Sequence, residues 1–208
     1  KIISTGGEGG LRAMDDELRW RAAGAFKDHG KSYEAIYERP KEGNGYKPIY
    51  DSFGTNWRMP EVQAAIGRVQ LRKLPAWSDR RRAIGRRYEE ALRPLAALRI
   101  PEVPDRVQHA YYRSYLYVRP EALKAGWSRM RILDEVAKTG VPCFVGSASE
   151  LYREKAFRDA GLGPRESFPV AKELGDTALA LLCNPTLSDE AVERKIEVIT
   201  DVVMRATR

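Results

Sequence analysis

Apolar residues recur at helical spacing in five stretches, and most carry their own start or stop signal. Leu18, Ala22, Ala25 and Phe26 share one face of a helix that opens at Asp15-Asp16, where acidic residues suit the positive end of the helix dipole. It ends near His29-Gly30, with Gly30 as its C-cap. Pro60 fits a first helical turn, and Val62, Ile66 and Val69 mark the apolar face that follows. Pro75 then interrupts, so a further helix is expected from about Ser78 through Ile84, Tyr88, Leu92 and Leu95. Ser128 caps a helix through Ile132, Leu133 and Val136 that closes at Gly140. Ser188 caps a terminal helix, with Asp189 and Glu190 in its first turn and Val192, Ile196, Ile199 and Val203 facing the core.

Between the helices, residues 111–118 alternate apolar and polar in the manner of a strand. Residues 141–145 and 179–183 read as two more strands, and residues 11–14 as a short one. The second half therefore reads as a β-α-β-like order, which makes the class α/β. Residues 31–53 show no period and are rich in Gly, Pro, Tyr and charge, so they read as a long irregular loop. Pro94, Pro101 and Pro104 punctuate a linker, and the seam between two structural units falls near residues 75–100. The chain has neither an internal repeat nor a low-complexity tract.

Composition narrows the class of function. A hydrophobic share of 43% with 17 glycines is that of a soluble globular protein. No run of roughly 18 apolar residues offers a membrane span, and no basic segment leads into an apolar one as in a secretory signal. Cys143 and Cys183 are too few for a disulfide framework, and His29 and His109 are the only histidines, which excludes a multi-histidine metal centre. A reducing, cytoplasmic setting is expected. The net charge of +7 suits nucleic acid, or equally a phosphorylated or nucleotide-bearing small substrate. Its densest part (Arg68, Arg72, Lys73, Arg80, Arg81, Arg82, Arg86 and Arg87) falls on predicted helix, where a solvated face is the expected reading. No nucleic-acid-binding signature accompanies it.

The chain opens at Lys1, and this start is expected to be a cut or processed end, or the edge of a fragment. Lys1-Ile2-Ile3 leads at once into Ser4-Thr5-Gly6-Gly7-Glu8-Gly9-Gly10. A lysine amine bonds to an aldehyde only when it can lose its proton, which burial or nearby positive charge promotes. Adjacent glycines let backbone approach a planar cofactor closely, although a glycine cluster is as readily a simple turn. The loop is no Walker motif, since no Gly-Lys-Ser/Thr ends it, and it lacks the spaced glycines of a dinucleotide fold.

Several segments, in order along the chain, resemble the DegT/DnrJ/EryC1/StrS family of pyridoxal-phosphate-dependent sugar aminotransferases. Residues 1–10 are similar to the segment that starts at the family's cofactor lysine and enters its Thr-Gly-Glu-Gly-Gly turn. Asp15-Asp16-Glu17 and Lys27-Asp28-His29-Gly30 resemble the family's acidic helix start and His-Gly helix end. Gly54-Thr55-Asn56-Trp57-Arg58-Met59 resembles its Gly-x-Asn-x-Arg-Met signature, continued by Gln63-Ala64-Ala65-Ile66-Gly67 and Gln70-Leu71. Asn184-Pro185-Thr186-Leu187-Ser188 resembles the segment before its last helix. Arg12 and Cys183-Asn184 depart from the family pattern.

The resemblance implies a fold-type I aminotransferase, with residues 1–75 ending the cofactor-binding large domain. Residues 76–208 would then be a connecting helix and the small C-terminal α/β domain. It implies that Lys1 carries pyridoxal phosphate on its ε-amine and moves the proton during amino transfer. Asn56 would reach the cofactor phosphate of the neighbouring subunit, its amide donating without added charge; a turn or cap role is the alternative. Arg58 would either place positive charge near that phosphate or anchor the loop. His29 reads as a helix-end residue and Glu8 as a brace for the glycine turn. The expected partners are a nucleotide-sugar substrate, an amino donor (glutamate), a second subunit sharing the active sites, and a chain carrying the half that precedes the lysine. In the family that half holds most of the parallel sheet, the ring-stacking aromatic, the aspartate at the pyridine nitrogen and a phosphate-binding serine. A non-catalytic, dimerising relative is the alternative within the family, and a nucleic-acid-binding protein the alternative outside it.

Overall fold

The computed structural model describes residues 2–40 and 48–208, so Lys1 lies outside the described residues. The chain divides into two compact units, Ile3–Lys73 and Leu74–Arg208.

In the first unit, helix α1 spans Glu17–Lys27, and the Asp16 side chain caps it by accepting a hydrogen bond from the Arg19 amide at 3.0 Å. It stops as the sequence suggests. Gly30 takes φ +84°, and its amide donates back to the Ala25 carbonyl at 2.7 Å. The strand expected at residues 11–14 is not formed, because no described segment pairs with it. Of the loop expected at 31–53, residues 41–47 lie outside the described residues, and the described parts on either side hold local structure. They contain a π-helical turn, Glu34–Glu38, and an isolated bridge between Lys31 and Tyr50. Arg21 ties that turn to α1: its guanidinium pairs with Glu17 at 2.7 Å, Glu34 at 2.5 Å and Glu38 at 3.2 Å, and lies 4.4 Å from the Tyr33 ring centroid.

Helix α2 runs unbroken over Glu61–Leu92, with Pro75 inside it. The expected break at Pro75 is therefore corrected. Proline removes one backbone hydrogen bond and crowds the carbonyl four residues earlier, a local cost that the helical residues on both sides of Pro75 outweigh. The division between the two units falls within this helix.

In the second unit, strands β1 (Leu98–Arg99), β2 (Arg113–Val118) and β3 (Ala178–Leu182) form an antiparallel sheet in that order. Leu98 pairs with Val118, and Leu116 with Leu179. The alternation read in β2 is real: Ser114, Leu116 and Val118 are buried, and Tyr115 and Tyr117 alternate with them. The β-α-β expectation is corrected in its detail, since β2 and β3 pair antiparallel. Residues 141–145 form no strand; only Phe144 bridges Ala180, so that segment touches the sheet at one point. Helices α3 (Arg129–Ala137) and α6 (Asp189–Ala206) complete the core, each N-capped by the serine expected, Ser128 and Ser188. Two short helices, α4 (Lys155–Asp159) and α5 (Pro169–Thr177), lie between α3 and β3 in sequence. Ile84, Tyr88 and Leu92 of α2 are fully buried with Leu116, Ile132, Leu179 and Ile199. Burying each such side chain contributes about 1.5–3 kcal/mol.

Candidate cofactor-phosphate site

The glycine segment is seated on the N-terminal half of α2. The Ser4 amide donates to Gln70 Oε1 at 3.2 Å, and Gln63 Nε2 donates to the Glu8 carbonyl at 3.1 Å. These glutamines stand seven residues apart, two helical turns, and so share a face. Buried Gly67 lies between them, and a Cβ built on it would stand 3.4 Å from Thr5 Cγ2. Within the segment, Gly6 holds φ +74°, a conformation that suits glycine. A side chain at Gly6 would meet Ile66 Cδ1 at 2.9 Å, and one at Gly9 would meet Thr5 Oγ1 at 2.8 Å. Two motifs more than fifty residues apart are thus one structure. The spacing of Gln63 and Gln70 was the available signal, though sequence reasoning gave neither a role. Glu8 braces the turn with its carbonyl, and its carboxylate makes no hydrogen bond among the described residues.

A second pairing presents Asn56. At the last turn of α1 and just beyond it the chain meets residues 55–57 edge to edge: Thr55 N–H donates to the Phe26 carbonyl at 2.7 Å, His29 N–H to the Thr55 carbonyl at 3.1 Å, and Trp57 N–H to the Lys27 carbonyl at 2.8 Å. Asp28 and Asn56 are antiparallel bridge partners. The Phe26 and Trp57 rings pack edge to face, with centroids 5.3 Å apart. His29 is the turning residue, at φ +60°, which fits its reading as a helix-end residue. An open concavity of about 560 Å³ adjoins the bend, lined by His29, Tyr50, Asp51, Ser52, Phe53 and Gly54.

The orientation of the Asn56 carboxamide follows from its neighbour. The Arg58 amide and Nε both donate to Asn56 Oδ1, at 3.4 and 3.2 Å. Arginine can only donate, so the amide oxygen is the atom that faces Arg58, and the NH₂ makes no hydrogen bond among the described residues. An exposed amide with two spare donors suits a phosphate oxygen, so this position fits the phosphate end of pyridoxal phosphate. Arg58 also pairs with Asp28 Oδ1 at 3.4 Å. Of the two roles expected for Arg58, anchoring is the one its contacts display.

Four members of the basic run on α2, Arg80, Arg81, Arg82 and Arg87, are engaged within the second unit. Arg80 and Arg87 both pair with Asp189, at 3.0 and 2.6 Å, and Arg87 with Glu193 at 3.0 Å. Arg82 pairs with Asp79. Arg81 is buried and donates to the Cys183 carbonyl at 3.3 Å. The solvated face anticipated from sequence is, at these positions, an intrachain ion network. No helix among the described residues is long and apolar enough to cross a membrane.

Known proteins bear on this geometry. A family model described as the DegT/DnrJ/EryC1/StrS aminotransferase family matches residues 1–200. The spore coat polysaccharide biosynthesis protein SpsC of Bacillus subtilis is 31% identical over 211 residues, covering 99% of this chain and 52% of SpsC. The erythromycin biosynthesis sensory transduction protein EryC1 of Saccharopolyspora erythraea is 29% identical over 157 residues, covering 76% of this chain and 40% of EryC1. Among solved structures, an aminotransferase from Psychrobacter cryohalolentis superposes with a TM-score of 0.91 at 44% identity, covering 99% of this chain and 54% of that one. The sugar aminotransferase CalS13 of Micromonospora echinospora superposes at 0.78 with 18% identity, over 97% of this chain and 49% of that one, a likeness of fold. The chain spans about half the length of the curated relatives it matches. The fold class is α/β, that of the fold-type I aminotransferases.

Proposed function

The chain belongs to the DegT/DnrJ/EryC1/StrS aminotransferase family, and from that premise we propose that the whole protein uses pyridoxal phosphate to transfer an amino group, from glutamate, to a nucleotide-linked keto-sugar. The names of relatives in spore coat polysaccharide and erythromycin biosynthesis support polysaccharide or antibiotic-sugar synthesis as the setting. Bound pyridoxal phosphate would supply the electron sink for the amino transfer.

The chain's own residues take definite parts. Lys1, outside the described residues, holds the cofactor through its amine and carries the proton to and from the reacting substrate carbon. The segment that follows it is fixed on α2 through Gln63 and Gln70. Asn56 donates its amide protons to the phosphate. Arg58 holds the Asn56 oxygen and so leaves the NH₂ to donate.

Residues 1–75 are the end of the cofactor-binding domain and residues 76–208 the connecting helix and small domain. The protein works as a homodimer in the cytoplasm, with Asn56 of each subunit serving the phosphate bound by its neighbour. Exposure supports an extended interface in this region. Among the described residues of the first unit Ala35 is the only buried apolar side chain, whereas Leu11, Phe53, Trp57 and Val62 are exposed. Such a surface calls for more polypeptide, from a second subunit or from a chain half that supplies the sheet.

The observation that carries the reading is the exposed Asn56 carboxamide, whose oxygen accepts from Arg58 while its NH₂ makes no hydrogen bond among the described residues. The test supplies the full-length protein with pyridoxal phosphate, a nucleotide-linked keto-sugar and glutamate labelled with heavy nitrogen. Label in the sugar product supports the proposal. Cofactor binding without transfer to any keto-sugar supports the non-catalytic family alternative instead.

A further inference from the structure

Asp28 stands in an electrostatically unfavourable place. It is the C-cap of α1, where unpaired carbonyls make the helix end negative and a carboxylate is disfavoured. An asparagine would cap equally well without the charge. What the charge does here is gather cations: Lys31 Nζ donates to Asp28 Oδ1 at 3.2 Å, and Arg58 Nε lies 3.4 Å from the same oxygen. Partial burial pushes the carboxyl upward, but the Lys31 bond and the charges of Lys31 and Arg58 outweigh it and hold Asp28 below the usual carboxylate range. Only 22% of the Asp28 side chain is exposed, against 51% for Arg58, so the acid is the fixed member and the arginine the one being held.

The same Arg58 Nε lies 3.2 Å from Asn56 Oδ1, and Asp28 and Asn56 face each other as bridge partners. An unanchored exposed arginine has several rotatable bonds and would leave the Asn56 oxygen only the longer, 3.4 Å bond from the Arg58 backbone amide. We propose that Asp28 is a positioning residue for the cofactor phosphate: it holds Arg58, and through Arg58 the Asn56 carboxamide, so that the amide protons stay directed at the phosphate. This rests on the family reading above, and it assigns a role to a carboxylate that does not itself touch the cofactor.

The experiment compares two probes that differ only in the phosphate, pyridoxal phosphate and pyridoxal, titrated by absorbance against the full-length protein and its Asp28→Asn, Arg58→Met and Asn56→Ala variants. Thermal unfolding of each variant is followed in parallel. Asp28→Asn keeps the shape and removes the charge. It should weaken pyridoxal phosphate by about tenfold, the worth of roughly one hydrogen bond, and leave pyridoxal unchanged. Arg58→Met should show the same selective loss. Combining Asp28→Asn with Asn56→Ala should bind no more weakly than Asn56→Ala alone, because the acid acts only through that amide. Unaltered pyridoxal phosphate affinity in Asp28→Asn, equal losses for both probes, or additive losses in the double variant would each overturn the proposal. A parent protein that binds neither probe would sink the cofactor reading itself, which separates the two failures.

Discussion

Gly85 of α2 and Tyr111 are packed so closely that a Cβ built on the glycine would stand 2.3 Å from the tyrosine Cδ1. Tyr111 is buried, holds φ +41° and donates its hydroxyl to Glu89 at 2.8 Å, so ring and backbone are both committed. Gly85→Ala should therefore destabilise the second unit by about 2–3 kcal/mol through overpacking. Denaturant unfolding of the variant measures it, and a loss within about 0.5 kcal/mol would mean that the ring moves freely.

Two other glycines separate backbone strain from lack of space. Gly30 and Gly140 have φ of +84° and +77°. A Cβ on Gly30 would fall 1.6 Å from the Ser52 carbonyl oxygen, while one on Gly140 would meet nothing within 4 Å. Gly140→Ala should cost only the conformational term, about 1–2 kcal/mol. Gly30→Ala must in addition push two backbones apart beside the Asp28–Asn56 bridge. It should cost more and also weaken pyridoxal phosphate binding, whereas Gly140→Ala should bind normally. Calorimetry and cofactor titration of the pair provide the comparison.

The contrast between the two units explains what was legible in the sequence. Helix α6 was readable because its Ser188 cap and its apolar period agree with the side on which it is buried. The alternation in β2 was readable for the same reason. Pro75 misled because a local rule was applied where a 32-residue helix absorbs one missing bond. Residues 141–145 misled because an apolar run secures neither burial, since Phe144 and Val145 are exposed, nor a full ladder. Asn56 and Arg58 were singled out through a motif, whereas the contacts of Asp28 and Lys31 with this segment were not anticipated. Their partnership crosses a bend held by backbone hydrogen bonds, and no periodicity encodes such a contact.

The ion network at the start of α6 should be visible in acid. The bond from Arg80, then its charge and that of Arg87, hold the Asp189 carboxyl below its usual range. Its folded pKa is thus below the unfolded value of about 3.9. The stabilisation is therefore fully present above about pH 4 and is lost as pH falls through the folded pKa. Asp189→Asn should be less stable than the parent at pH 7, and the gap should shrink by pH 3. Denaturant midpoints at the two pH values test this; a gap constant with pH would assign the effect to packing.

The two free cysteines should be poor nucleophiles. Burial pushes the thiols of Cys143 and Cys183 up to about 11. Iodoacetamide at pH 8 should leave both unmodified in the folded protein and alkylate both after denaturation, as read by intact mass. Rapid alkylation of Cys183 in the folded protein would show that the region around β3 opens readily.

The central claim is that the segment docked on α2 begins with the lysine that carries the cofactor. The direct test is to load the full-length protein with pyridoxal phosphate, reduce with borohydride and map the modified peptide by mass spectrometry. The account predicts a pyridoxyl-phosphate adduct on Lys1, abolished by Lys1→Ala, with loss of the visible absorption band on reduction. An adduct on another lysine, or a protein that binds the cofactor with no lysine modified, would contradict it.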